Sequence, residues 1–409
     1  MRKCGEWIIA GQLQDGSWRG TRSGWLFSLI ALQLLGYSFD APVLARGLAA
    51  LDAAAIWTQE RAVPIRRLEN NCAPVTQTAL VISALTDAGV PGDRAAMSAA
   101  VRWLLDEEIT ARSAWLAGRN DLEPAETAAW SGRGASAGIE ETAAVILAVR
   151  RANVLTESSN LNANLLALRW LAGMQRNDGG WGRRAAGPGT TLITRLPFLE
   201  LAEMRDTSAA APTACAVEAL AVAGQPASRA LRKGVAWLLR AQRPDGSWPD
   251  ERGTSDLITT CSVVLALIEA GVVPGKPPVR RAVSWLLRRQ NSDGGWDHGW
   301  PRWDSRRAGS GRSASLATAR ALTALLAIGD PDLTAAVEGG VAFLVWSQGP
   351  DGSWPEPEPG SGANSMEVIP AVLSALGRYL AVDAQPVASD RALAAQLLPG
   401  ASRRPTVAS

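Results

Sequence analysis

A single histidine, His298, stands in the 409 residues, beside only two tyrosines and four phenylalanines. One imidazole excludes a histidine-rich metal site, and excludes a Ser-His-Asp triad anywhere but around residue 298. Cysteine is scarce as well: Cys4, Cys72, Cys215 and Cys261 lie far apart, with no Cys-x-x-Cys pair. With no secretory leader at Met1, the expectation is a reducing, cytoplasmic setting. Neither sign of charge dominates, the net charge being +2, so no electrostatic argument points to a nucleic-acid partner. No uninterrupted apolar run reaches the ~18 residues of a membrane span. The most apolar stretch, Trp25 to Leu35, is broken by Ser28 and Gln33 and reads as a buried helix.

What is abundant is tryptophan, with 17 residues in a chain that is 47% hydrophobic. That content suffices for one large core or two ordinary domains. The tryptophans follow a repeat. The segments Gln12 to Trp18, Gln175 to Trp181, Gln242 to Trp248, Gln290 to Trp296 and Gln348 to Trp354 all read Gln-x-x-Asp-Gly-Ser/Gly-Trp. Asp-Gly is a turn signal, because glycine accepts positive φ and aspartate bonds the backbone two residues on. The glutamine amide can then cap a neighbouring helix end while the indole covers it. These glutamines and tryptophans therefore read as structural.

Each repeat follows a charged amphipathic helix and precedes an apolar one. The apolar set is expected at about 24–36, 76–89, 140–153, 211–224, 256–271, 314–329 and 365–379, apolar nearly all round and so buried in an inner ring. The amphipathic set, at about 2–12, 94–106, 162–175, 228–242, 278–290 and 333–347, should form an outer ring. No stretch alternates with period two over a useful length. The expectation is an all-α fold, an α/α toroid of about six to seven helix pairs with no significant sheet. It spans residues 1–383 as one domain, with a loosely ordered tail over 384–409.

The repeat resembles that of squalene–hopene cyclases and the wider class II terpene cyclases. The similarity extends to Trp103 to Thr110, Trp115, Arg119 to Pro124, Pro74 to Ala79, and the block Trp170 to Gly182 with Leu196 to Phe198 after it. Hopene cyclases carry a second barrel, whereas here the first repeat passes from about Asp40 almost directly into Trp57 to Leu68. The resemblance implies an acid motif, Asp-x-Asp-Asp, at an inner-helix N-terminus, whose middle aspartate protonates an alkene. The matching residues are Gly138-Ile139-Glu140-Glu141, followed by Thr142 and Ala143. Glu140 is thus the candidate general acid, with Glu141 and Thr142 as supporting groups. The partners that poise the family's acid are matched by Ala211 and Cys215. Family aromatics that line the cation path are matched by Ala129, Arg184, Arg252, Ala363 and Met366. Cation–π stabilisation is worth ~0.5–2 kcal/mol per ring, so the standard conversion of squalene to hopene is not expected.

The candidate substrate-binding residues are Arg184, Arg252, Trp57, Trp130, Cys215 and Met366. Arg302, Arg306, Arg307 and Arg312, with Trp300 and Trp303, form a basic loop that reads first as a solvated surface loop and second as a partner, with Arg184 and Arg252, for an anionic group such as a diphosphate or carboxylate. Glu140 and Glu141 also suit the first turn of any helix, where the macrodipole favours acids. Two function classes stay open. One is an acid-initiated cyclase or isomerase taking an isoprenoid-like or amphiphilic substrate in the barrel, with peripheral membrane contact. The other is a catalytically silent toroid used as a binding or scaffold module. No protein-bound metal or cofactor is expected, and Mg²⁺ only if the substrate carries a diphosphate.

Overall fold

The structure, a computed structural model, describes residues 2–18, 22–53, 55–60, 63–68, 74–91, 94–107, 129–130, 137–152, 158–182, 207–224, 228–250, 253–297, 313–350, 352–354 and 365–383. The helices are α1 (Arg2–Ala10), α2 (Arg22–Leu34), α3 (Pro42–Ala53), α4 (Pro74–Asp87), α5 (Ala95–Asp106), α6 (Ile139–Ala152) and α7 (Ser158–Gly173). They continue as α8 (Ala210–Val222), α9 (Arg229–Ala241), α10 (Leu257–Glu269), α11 (Pro277–Leu287), α12 (Ser315–Ile328), α13 (Thr334–Ser347) and α14 (Ser365–Asp383). The all-α toroid expected from the repeat is present.

Six helices close a ring. α4 packs on α6, α6 on α8, α8 on α10, α10 on α12, α12 on α14, and α14 returns to α4. The closure is polar as well as apolar: Arg378 on α14 pairs with Asp87 on α4 at 3.1 Å, and Ser374 donates to the same carboxylate. Gly377 permits the approach, since a Cβ there would collide with the Asp87 carbonyl and the Ala88 backbone. α5, α7, α9, α11 and α13 lie outside, against the inner helices that adjoin them in sequence. The outer helices are amphipathic, and α9 buries Leu231, Gly234 and Leu238 while showing its arginines to solvent. The inner ones are apolar nearly all round, α10 being buried at nine of its thirteen positions.

Three details differ from the sequence expectation, one of them α3, a helix over residues assigned to neither ring. α2 is apolar enough for the inner ring, yet it packs on α1 and α3. Those helices share a separate core of Trp18, Leu29, Leu32, Val43, Leu44 and Leu51. Composition gave α2 the look of an inner helix, but α14 meets α4 directly and leaves no gap for a seventh. Third, Ala55–Glu60 and Val63–Leu68 pair as antiparallel strands β1 and β2, and Trp248–Pro249 with Ser255–Asp256 form the short pair β3 and β4. The first pair is rich in β-branched residues (Ile56, Thr58, Val63, Ile65), which favour a pleated backbone. No helix among the described residues is long and apolar enough to cross a membrane.

Candidate functional site

The repeats hold each outer helix to the next inner one. Within them, Gln175, Gln242 and Gln290 each donate to the motif glycine's carbonyl and to a first-turn carbonyl of the following outer helix, Ala230, Pro278 and Ala336, at 2.8–3.0 Å. Gly294 has φ 86 and lies against the Gly339 carbonyl, where a Cβ would collide. Both backbone angle and space thus demand glycine. Trp181, Trp248 and Trp296 donate Nε1 to carbonyls ten residues back, on Leu171, Leu238 and Leu286. Their backbone N–H groups donate to Thr213, Thr260 and Thr318, each the fourth residue of its inner helix. Burying an indole yields up to about 5 kcal/mol from its ~200 Å², while an unpaired N–H takes back about 1–3. The carbonyl partner is therefore part of the device.

α6 carries the same device without the motif. Trp130 is buried, its Nε1 donates to the Leu104 carbonyl at 2.6 Å, and its N–H donates to Thr142 Oγ1 at 3.1 Å. Its carbonyl accepts from Gly138 at 3.0 Å, as the Trp181 carbonyl does from Ala209 and the Trp296 carbonyl from Ala314. Of the candidates, Thr142 and Trp130 are thus placed as structural partners, and Trp130 has 1% of its surface accessible. The sequence hid this because 25 residues separate Trp130 from its partner Leu104, where nine separate Trp181 from Leu171, and no Gln-x-x-Asp-Gly precedes Trp130.

Glu140 and Glu141 occupy the first turn of α6 and are partly exposed. The Glu141 carboxylate folds back over Gly138 and fills the volume that a side chain there would need. A glutamate at that position commonly reaches back over the helix start. The extra methylene thus lets position 141 place its carboxylate beside position 138.

The lumen emerges from exposure along the inner helices. From Ser313 to Leu325 every residue is buried except Arg320. From Pro212 to Leu220 the exception is Cys215, and from Thr259 to Leu267 it is Ser262. Each lies two residues after the stapling threonine, so the three share one level of the ring and face its interior. Burial pushes the Cys215 thiol far above its usual range, Glu140, Glu218 and Glu141 add to that, and Arg320 opposes it. Cys261 is shifted the same way by burial and by Asp256, again opposed by Arg320. The two α6 carboxylates, Cys215 and Arg320 therefore share one electrostatic neighbourhood. A turn deeper, Glu218 pairs with Arg151 at 2.7 Å. Burial disfavours the charge on Arg151, but Glu218, Asp87 and Glu269 more than compensate and raise its pKa.

Arg320, Glu218 and Arg151 were missed by the sequence reading. The available signal was a lone charge in an apolar helix: Arg320 is the sole charged residue of α12 and Glu218 of α8. Trp57 lies in β1 opposite Arg66, and Met366 in the first turn of α14, with neither side chain among the described ones. Arg184, Arg252, Ala363, His298, the basic loop from Trp300 to Arg312 and the tail 384–409 lie outside the described residues. Among the described residues no cluster of three His, Cys, Asp or Glu side chains is placed to hold a metal ion.

Comparison with known proteins agrees with this architecture. The squalene–hopene cyclase C-terminal domain family matches residues 72–366, and the corresponding N-terminal domain family matches residues 1–60. A squalene–hopene cyclase of Alicyclobacillus acidocaldarius is 36% identical over 354 residues, covering 86% of this chain and 55% of that protein. The dammaradiene synthase of Dryopteris crassirhizoma is 27% identical over 382 residues, covering 87% and 55%. The chain thus spans about half the length of these curated relatives. Among solved structures, the ent-copalyl diphosphate synthase of Streptomyces platensis superposes with a TM-score of 0.51 at 21% identity, covering 83% of this chain and 55% of that one. A GH76 α-mannanase of Bacteroides thetaiotaomicron reaches the same TM-score at 9% identity, covering 82% and 94%. A toroid shared with a mannanase shows fold and no chemistry. The family matches carry more, and by them the chain belongs to the squalene–hopene cyclase family.

Proposed function

We propose that this chain takes an isoprenoid-like or amphiphilic ligand into its inner ring and starts an acid-initiated cyclisation or isomerisation, with Glu140 as proton donor and Glu141 beside it. The observation that carries the reading is the placement of both carboxylates at the N-terminal end of an inner-ring helix, in one neighbourhood with the lumen residues Cys215 and Arg320. Proton transfer to an alkene needs a positioned acid whose conjugate base is stabilised. The first-turn N–H groups of α6 supply part of that stabilisation.

Family membership supports the ligand class. The charged lumen argues against the conversion of squalene to hopene. A guanidinium at Arg320 and the Arg151–Glu218 pair stand where a polyene cation would need apolar and aromatic walls, and a fixed cation repels a migrating one. A substrate with a polar or anionic head fits better. Mg²⁺ enters only if that head is a diphosphate. The toroid, through about residue 383, is read as one domain.

One observation favours a second reading, a catalytically silent binding or scaffold module: Arg151 and Glu218 join the inner helices α6 and α8 by a mostly buried ion pair at 2.7 Å, a contact that serves packing without a ligand. Native mass spectrometry, thermal shift and product analysis against prenyl diphosphates, squalene and their epoxides separate the two. A product that forms with wild type and vanishes in Glu140→Gln supports the enzyme. Absence of binding and of product, with the variant behaving as wild type, supports the scaffold.

A further inference from the structure

One donor of the Arg320 guanidinium is left unfilled on an inner helix of the ring. Its Nε is buried and has no hydrogen-bond partner. Among the described residues no carboxylate reaches ion-pair distance of it. Glu218, the acid a turn deeper, is committed to Arg151. An unfilled buried donor on a charged group costs more than the ~1–3 kcal/mol of a neutral one. The surrounding packing does not force this position, since α12 is buried on its other faces by alanine and leucine.

The neighbours are suited to a ligand. Ser262 brings a hydroxyl to the same level of the ring, and Cys215 a neutral thiol. Thr323 on the next turn of α12 has its hydroxyl bound to the Ala319 carbonyl, which leaves Arg320 and Ser262 as inward-facing donors of α12 and α10 at this level. Glu140 lies four residues nearer its helix start, relative to Thr142, than Arg320 does relative to Thr318 after aligning the stapling threonines. That offset is about 6 Å along the axis.

We propose that Arg320, assisted by Ser262, is the anchor for an anionic headgroup, a carboxylate or a phosphate, of the ligand that enters the ring. The planar fork of arginine matches either group with two parallel hydrogen bonds. The anion accepts the hydrogen bond of Nε, offsets the guanidinium charge, and holds the apolar part of the same molecule toward the α6 carboxylates. This deepens the isoprenoid reading above and rests on it.

The test is direct binding, measured by titration calorimetry, of geranylgeranyl diphosphate, geranylgeranoic acid and geranylgeraniol, which share one tail and differ in the head. Wild type is expected to prefer the two anions over the alcohol by about tenfold or more, the factor carried by one charge-assisted hydrogen-bond pair. In Arg320→Met that preference collapses while affinity for the alcohol is kept, and Arg320→Lys retains part of it. Inorganic pyrophosphate added to wild type is expected to weaken binding of the diphosphate and leave the alcohol unaffected, which needs no variant to fold. Equal affinity of wild type for all three ligands overturns the anchor and leaves the isoprenoid reading standing. An anion preference unchanged in Arg320→Met also overturns it. Failure of all three to bind removes the isoprenoid reading and the anchor with it.

Discussion

The backbone N–H of Trp130 donates to the side-chain oxygen of Thr142 at 3.1 Å, the bond that Trp181 makes to Thr213, Trp248 to Thr260 and Trp296 to Thr318. Thr142 is fully buried, and its hydroxyl fixes the start of the helix that presents Glu140. Thr142→Val should leave the Trp130 N–H unpaired and cost about 1–3 kcal/mol, as should Thr213→Val. Thr142→Ser should restore most of it. Thermal unfolding of the three variants checks this, and equal melting temperatures for wild type and Thr142→Val would show that the bond contributes nothing.

Two neighbouring tryptophans isolate the value of the indole bond. Trp181 Nε1 reaches the Leu171 carbonyl at 2.7 Å, whereas Trp170 Nε1 is buried without a partner. Trp→Phe removes similar volume at both fully buried sites, so the cavity term is shared. Trp181→Phe should therefore be the more destabilising by about 1–3 kcal/mol. Denaturant titration of both variants reads the difference, and the reverse order would contradict the assignment.

Gly138 and Glu141 share one volume. Gly138→Ala must push the Glu141 carboxylate aside, and because that carboxylate is the end of a flexible side chain, the fold should lose little. The effect is expected in chemistry: product formation falls while the melting temperature moves by only a few degrees, roughly what 1 kcal/mol produces in a chain of this size. Activity equal to wild type would mean that the position of Glu141 is immaterial.

The lumen ion pair lends itself to a mutant cycle. Arg151→Met leaves Glu218 as an uncompensated buried acid and should cost about 3–5 kcal/mol, while the double variant Arg151→Met, Glu218→Leu should recover most of that loss. Denaturant midpoints for the set decide it, and additive losses would show that the two side chains are not coupled.

The motif aspartates set an acid limit. Burial alone would raise the Asp178 pKa, but the Gly180 N–H, the Ser208 hydroxyl and the Trp237 indole outweigh it and hold the carboxyl below its usual range. At Asp245 burial again raises, and hydrogen bonds from Ser247, Ser255 and Trp285 prevail. A folded-state pKa below the unfolded one means the stabilisation is complete above the unfolded value of about 3.9. It is lost as pH falls through the folded value. Melting temperature should thus fall below about pH 4, less steeply in Asp178→Asn. Identical acid limbs for variant and wild type would exclude Asp178 from that loss.

The repeat made the layering of this molecule readable in advance. Gln290-x-x-Asp293-Gly294-Gly295-Trp296 encodes its own turn, because its bonds within the segment and to Leu286 are short in sequence. The apolar stretch 315–328 follows one helical face after another without a charge except Arg320, so its burial is legible from composition. Glu140 and Glu141 became candidates for a different reason, the resemblance of their segment to a family acid motif, and they stand in the first turn of α6. Closure of the ring was not readable. It depends on Asp87 and Arg378, 291 residues apart, and nothing local distinguishes α2, which joins α1 and α3, from a ring helix. Nor was the role of Trp130 readable, since its partner Leu104 lies across a long segment that has no fixed spacing. Sequence by itself determined the helices that flank the repeats and which of the repeat turns must be glycine, because those are short-range consequences of sterics and hydrogen bonding. Only the tertiary structure decided that Arg320, Cys215 and Ser262 share one level of a lumen, because a level in a closed ring is set by how six helices are held in register and not by any one of them.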